Sequence, residues 1–346
     1  MPITQRGSSV NSFAFSKVWF RTRCIDLRVC DIKKINSACK SWLYQYTFAK
    51  PEESVLYRPH QHGGLGLHTV KFKSLAGFIT TFLQTAANTT YIPNLLHSLL
   101  YRKHVLGEFV PEAPDPPPPY LNQDLFAIIR KVHDESPLNI VNMSEREWTR
   151  LLTEDFITMT VSESGHRNFI PCRVELASPS TDWNLSWVAC RQSGIPPDLA
   201  SFLWKMVHNL LSTQARLHHM GSTASPTCKM PTCSEDGTLL HELILCSRND
   251  CIGHKLIHCL QLYVPGLQAD AVLRLEHGNL EEELSLSATL LTAIILSYIW
   301  RERQAKANIH AYKSRADLEQ YITLLRTTRL CALANKLEEM SNKMFQ

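Results

Sequence analysis

PPDLASFLWKMVHNLL, residues 196–211, reads as a helix and sets the fold class for the rest of the chain. Pro196, Pro197 and Asp198 suit a first helical turn, where a missing backbone N–H leaves no bond unmade. Behind them Phe202, Leu203, Met206, Val207 and Leu210 define one apolar face. The same period returns on both sides. In residues 31–48, Ile32, Ile35, Ala38, Cys39, Trp42, Leu43 and Tyr46 line a stripe that leaves Lys33, Lys34 and Lys40 outside it. Residues 74–87 and 93–105 predict two further helices, and residues 121–133 another. Ser144 and Glu147 stand at capping-box spacing and open a helix through Asp155. From Leu280 the pattern is helical nearly to the end, where Ile309, Leu318, Ile322, Leu325, Leu330 and Leu333 require a core. Strand signals are confined to residues 169–174 and 183–188. The class is mainly α.

Length and composition bound the rest. The 346 residues carry 36 basic and 32 acidic side chains and are 44% hydrophobic, which is globular and allows two or three domains of the usual ~100–200 residues. The 11 cysteines are scattered, and the first 20 residues lack the apolar core of a secretory signal. A reducing, intracellular setting in cytoplasm or nucleus is therefore expected. Leu284–Trp300 is uncharged for 17 residues, but Ser285, Ser287, Thr289, Thr292 and Ser297 dilute it and it falls short of the ~20 apolar residues of a span. It reads as a buried helix, with no membrane involved.

Five prolines in residues 112–119 remove backbone donors and favour extended chain, so 111–120 reads as a linker. The expected divisions are a helical segment 1–110, the linker, a helical and irregular connector 121–195, a metal-binding domain 196–265 and a helical region 266–346. Charge is uneven across them: residues 1–110 hold 14 basic and 5 acidic side chains, residues 111–200 hold 7 and 13. The first third thus suits a polyanionic partner.

Cys228-x4-Cys233-x7-His241-x4-Cys246 supplies three thiols and one imidazole. That is a complete tetrahedral set for Zn2+ with no position open to water, hence a structural site. Pro226, Pro231 and Gly237 let the chain fold back between the first ligands, and Cys251, His254, His258 and Cys259 lie downstream as possible replacements. Hydrolase, P-loop, metalloprotease and dinucleotide motifs are absent from the sequence. His62-Gly63-Gly64-Leu65-Gly66-Leu67 lacks the strand-to-helix context of a nucleotide loop and predicts a tight turn before a helix. Cys24, Cys30, Cys39, Cys172, Cys190 and Cys331 read as small buried residues, and Trp19, Trp42 and Trp204 as core.

Arg58-Pro59-His60-Gln61-His62-Gly63-Gly64-Leu65-Gly66-Leu67 resembles the Arg-Pro…Gly-Gly-Leu-Gly-Leu segment downstream of the polymerase core in non-LTR (LINE-type) retrotransposon reverse transcriptases. Ser16-Lys17-Val18-Trp19-Phe20 resembles that family's Ser-Lys-Leu-Trp-Tyr stretch. Phe202-Leu203-Trp204-Lys205, the 210–217 segment and the Cys, Cys, Gly-Thr, His, Cys series resemble its zinc-binding domain. The likeness covers roughly residues 10–260. It implies a C-terminal part, thumb or connection region plus zinc domain, without the catalytic carboxylates, since no Asp-Asp pair occurs in the chain. No polymerase or other enzymatic activity and no small-molecule substrate are then expected of it alone, and the upstream polymerase core would be a partner in an intact element. What the resemblance leaves is RNA or DNA binding through phosphates. The candidates are Lys33, Lys34, Lys40, Arg58, Lys71, Lys73, Arg102 and Lys103, with Arg216, Lys229 and Arg248 around the zinc. The alternatives are a zinc-stabilised protein-interaction domain, or a truncated element product with no function.

Overall fold

The computed structural model describes residues 3–15, 27, 29–44, 50–87, 99–108, 123–135, 140–156, 159–161, 167–169, 173–230, 232–249, 251–277, 280–305, 311–327 and 331–345. The Pro-rich segment, Trp19, Cys24, Cys172 and the expected helix start at Pro93 lie outside the described residues. The chain is mainly α. Helices in order are α1 Ile3–Ser9, α2 Val29–Tyr44, α3 Glu53–Tyr57, α4 Val70–Ala87, α5 Gln123–Glu135 and α6 Glu145–Phe156. They continue with α7 Arg173–Ala177, α8 Trp183–Ala189, α9 Pro197–Val207, α10 Gln214–His219, α11 Ile252–Gln261 and α12 Ala269–Leu273. The last three are α13 Glu282–Gln304, α14 Ala311–Thr327 and α15 Cys331–Phe345. Residues 99–104 are also helical. One small antiparallel pair, β1 Met159–Val161 with β2 Arg167–Phe169, follows α6.

The expected capping box forms: the Ser144 N–H donates to Glu147 Oε2 at 2.7 Å, and the Glu147 N–H returns to Ser144 Oγ at 3.3 Å. Both strand expectations need correction. Residues 167–169 pair as β2 but 173–177 are helical, and 183–188 lie within α8. Alternation of Trp, Leu and Trp with polar residues looked like period two. Helical spacing wins because Trp183 and Trp187 stack four apart, ring centroids 5.3 Å, and Asp182 caps the helix by accepting from the Asn184 N–H.

Two apolar cores organise the described residues, and both draw on more than one of the expected divisions. The smaller gathers Ile79, Phe82 and Leu83 of α4, Leu100 and Val105, Leu125, Phe126 and Ile129 of α5, and Trp148 and Leu152 of α6. Residues from both sides of the Pro-rich segment therefore share one interior, because no one helix can bury its own face. The larger core runs from Val10 through Leu56, Leu65 and Val70 to Trp187, Trp204 and the C-terminal helices. At its centre lies α13, packed against α9, α11, α14 and α15. It is long and apolar enough to cross a membrane, but 67% of its most apolar window is buried in the protein. Ser287 and Thr289 bond back to the carbonyls of Glu283 and Ser285, so their hydroxyls are satisfied inside the bundle. Trp204 is core as expected, whereas Trp42 is 39% exposed because its neighbour Leu43 takes the buried position. Cys190 is buried, but Cys30 and Cys331 are exposed and Cys39 only half-buried.

The glycine segment does form the expected tight turn before α4, and it does more. Gly63, at φ 75°, offers its carbonyl to Trp204 Nε1 at 2.7 Å and to His208 Nε2 at 2.8 Å. Gly64 accepts from the Arg191 guanidinium at 2.8 Å. Arg58, expected to face phosphate, is instead 2% exposed and ion-paired with Glu175 at 2.9 Å, whose other oxygen accepts from Trp187 Nε1 at 3.0 Å. A guanidinium held this way has no surface to offer a polyanion. The segment locks the first third of the chain onto residues 175–208.

Two buried histidines make this body acid-sensitive. Burial pulls His208 down to about 4, opposed only in part by its Gly63 bond, and burial alone pulls His277 down to about 4. Both His277 ring nitrogens are buried with no partner among the described residues. A folded pKa below the unfolded ~6.5 means the unfolded chain binds protons first as pH falls. Stability is thus unaffected above about pH 6.5 and is lost between there and about pH 4, roughly 2 kcal/mol per histidine by pH 5. Urea unfolding at pH 7 and pH 5 checks this: His277→Leu should shrink the difference by about 2 kcal/mol, and an unchanged difference would refute the assignment.

Candidate metal centre

The four expected ligands converge. Cys228, Cys233, His241 and Cys246 present one ligand atom each, all within 4.8 Å of one another. The Sγ atoms of Cys228 and Cys246 are 3.9 Å apart, and Cys233 Sγ lies 3.3 Å from His241 Nε2. Sulfurs at zinc distance from one centre, about 2.3 Å, would sit about 3.8 Å apart at the edges of a tetrahedron. The donor set and its spacing therefore fit a tetrahedral metal ion.

Local backbone geometry explains the convergence. The Gly237 N–H bonds the Pro226 carbonyl at 2.8 Å and the Cys228 N–H bonds Glu235 at 2.8 Å, folding 226–237 into a narrow loop. Within it the Cys233 N–H bonds Met230 at 3.1 Å, turning the chain so both cysteines point the same way. Gly237 has no room for a side chain, since a Cβ there would lie 2.6 Å from Gln214 Cβ as well as 2.5 Å from Glu242 Oε1. Thr238 starts the next turn by accepting from the His241 N–H through its hydroxyl at 3.2 Å. Residues His241–Leu245 then form a π turn, closed by a bond from the Cys246 N–H to the His241 carbonyl at 2.8 Å. A five-residue spacing cannot align two side chains on an ordinary helical turn, and the wider turn does so.

Electrostatics around the site are set by burial. Cys246 is fully buried and Cys228 nearly so. Burial pushes the Cys228 thiol up, and the Arg303 guanidinium partly opposes it through a 2.8 Å bond from its NH2 group to Sγ. His241 is held below its ordinary value by burial first and by Arg303 second. A bound cation inverts this logic, since it favours thiolate and neutral imidazole together.

The proposed replacements do not join the set. Cys251, His254 and His258 are exposed, and Cys259 is buried with its thiol 3.3 Å from the Met340 carbonyl. The basic candidates are dispersed. Lys33 and Lys34 are exposed on α2 and Lys40 is partly so. Lys71 is exposed at the start of α4, while Lys73 is largely covered and pairs with Glu145 at 2.7 Å. Arg102 pairs with Glu108 at 2.5 Å, and Lys103 is half-buried nearby. Lys229 is exposed between the first two ligands, Arg216 donates to the Asn209 carbonyl, and the Arg248 side chain lies outside the described residues.

Two open grooves bring part of this set together. One, about 910 Å3, is lined by Lys33, Asn36, Ser37, Lys40, Ser41, Tyr44, Lys50 and Pro51. The other, about 960 Å3, begins at the same Lys50 and Pro51 and reaches Arg216, His219, Met220 and Thr238 beside the metal module. Lys50, its ammonium 5.8 Å from the Tyr44 ring centroid, is the basic residue they share, and sequence reasoning did not single it out. A lone lysine after an aromatic helix carries no motif that would single it out.

No protein-family model matches the chain, and no curated protein matches it.

Proposed function

We propose that the chain is a nucleic-acid-binding module stabilised by a structural Zn2+, and that it corresponds to the C-terminal part of a non-LTR retrotransposon reverse transcriptase. Cys228, Cys233, His241 and Cys246 would hold the zinc, leaving it no open coordination position and so no hydrolytic role. The metal supplies folding energy to the module, and the chain's own chemistry is binding. The upstream polymerase core would be its partner in an intact element, within the cytoplasm or nucleus.

The observation that carries this reading is the continuity of the two grooves at Lys50. Together they run from Lys33 and Lys40 past Tyr44 to Arg216 and His219, and the lining of the first contains no carboxylate. Ammonium groups spaced along such a track give affinity for phosphates without reading bases, and Tyr44 offers a ring on which a base can stack.

The test is an anisotropy titration against single-stranded RNA at several salt concentrations. Binding should weaken steeply with salt. The combined substitution Lys33→Glu, Lys40→Glu, Lys50→Glu should cut affinity at least about tenfold and flatten the slope by roughly one unit for each phosphate no longer engaged. Equal affinity and slope in wild type and variant would remove the grooves from the account.

One observation favours a second reading, a protein-interaction domain. A groove of about 570 Å3 between α9, α13 and α14 is lined by the exposed Leu324 and the half-buried Phe202 beside Asp198 and Asp317. Absence of RNA binding even at low salt would turn the search to a protein partner there.

A further inference from the structure

Arg303 stands in the last turn of α13, 57 positions beyond the last expected ligand, yet its guanidinium reaches the metal cluster. It is 6% exposed. One nitrogen donates to Cys228 Sγ at 2.8 Å, and Cys246 Sγ stands 3.9 Å from that sulfur. The second terminal nitrogen donates to Asn249 Oδ1 at 3.1 Å, and Nε faces Glu242 Oε2 at 3.8 Å. These partners are themselves fixed. Asn249 Nδ2 donates to the Glu242 carbonyl at 2.9 Å, and Glu242 Oε1 accepts from the Gln214 N–H at 2.8 Å.

A buried guanidinium with poor pairing would be strongly unfavourable, and Glu242 faces it only at 3.8 Å, so negative charge at the sulfurs would complete its pairing. Three thiolates and a neutral imidazole around a divalent ion leave one net negative charge on the cluster. The planar fork of Arg can turn its three nitrogens at once toward Cys228, Asn249 and Glu242, which the compact ammonium of Lys cannot. Resting on the zinc reading above, we propose that Arg303 is a positioning residue for the metal-holding thiolates, and that through it metal occupancy and docking of the C-terminal helices form one equilibrium. Two contacts add to the coupling. Gly253 of α11 lies so close to the ligand-bearing turn that a Cβ would fall 2.5 Å from the Ile244 carbonyl oxygen. Cys259 of the same helix bonds the Met340 carbonyl of α15.

The experiment uses the full chain, zinc and a chromophoric chelator in competition, with Arg303→Lys and Arg303→Met beside wild type. Partners that orient metal ligands are worth about 10- to 100-fold in affinity, so Met should fall in that range and Lys near its lower end. In wild type, removing zinc should raise alkylation of Cys259, followed by peptide mapping, at least about tenfold, since the thiol becomes accessible only if α15 leaves α11. Zinc affinity within twofold of wild type in both variants, or Cys259 labelling that ignores the metal, would overturn the proposal while leaving the zinc site standing. A wild-type chain that takes up no zinc would overturn both. The Cys259 readout in wild type needs no variant to fold.

Discussion

Chelation of the zinc proposed for Cys228, Cys233, His241 and Cys246 is expected to cost the chain far more than the order of one loop. The wild-type protein should carry close to one zinc per chain, and Cys233→Ala or His241→Ala should abolish it. Structural zinc sites are worth about 10–16 kcal/mol in apparent binding free energy. Losing even about 5 kcal/mol of that from a body of this size lowers the thermal midpoint by about 10–20 °C, at roughly 2–4 °C per kcal/mol. From the sequence, only residues 226–247 would be expected to become protease-sensitive on metal loss. The structure widens that expectation, because the ligand-bearing turn packs on α11 and α13 and Arg303 joins its thiols to α13. Cleavage should therefore spread into the helices after Cys251. Scanning calorimetry and limited proteolysis with and without chelator check it: an unchanged midpoint and digestion pattern would mean that no structural metal is present.

Gly64→Ala should be nearly as damaging, although it adds one methyl group. A Cβ at Gly64 would lie 1.9 Å from the Arg58 carbonyl oxygen and 2.4 Å from its carbonyl carbon. Neither is the end of a flexible side chain, so the turn must open. Opening it strands Arg58 away from Glu175 and pulls the Gly63 carbonyl from Trp204 and His208. Backbone strain together with a broken buried network belongs among the larger single-residue effects, about 4 kcal/mol. Trp204→Phe replaces the buried indole with a smaller phenyl ring and removes its N–H donor, and should cost about 2–4 kcal/mol, from the cavity it leaves and from the buried carbonyl contact it weakens. Urea unfolding of both variants measures this, and a Gly64→Ala loss below about 1 kcal/mol would show that the turn tolerates expansion.

The sequence carried the helical class and the four ligands in advance because both rest on local signals. Apolar periodicity gave α2, α4, α5, α9 and the C-terminal helices, and chemistry alone singled out Cys228, Cys233, His241 and Cys246. It misled where two periods overlap, as at Trp183 and Trp187, whose stacking in α8 overrides an apparent alternation. It was silent where a residue's meaning lies across the chain. Arg58 looks like any exposed arginine until Glu175 is found beside it, 117 positions away. Arg303 looks like an ordinary helix-end cation until Cys228 is found at its tip, 75 positions back. The π turn at 241–245 was hidden too, because only a fold that must bring residues five apart together gives reason to widen a helix.

The sharing of both cores across the 109–122 stretch has a consequence for the covalent chain itself. Residues 10–105 contribute to each interior, and residues 125–344 contribute to each as well. Peptide continuity between these two pieces is thus one tie among many. A chain nicked once in that stretch would behave as a pair of complementing fragments, held together by α4 against α6 in one interior and by the Gly63 carbonyl against Trp204 in the other. Scission there would go unnoticed by any native assay and show itself only on denaturation.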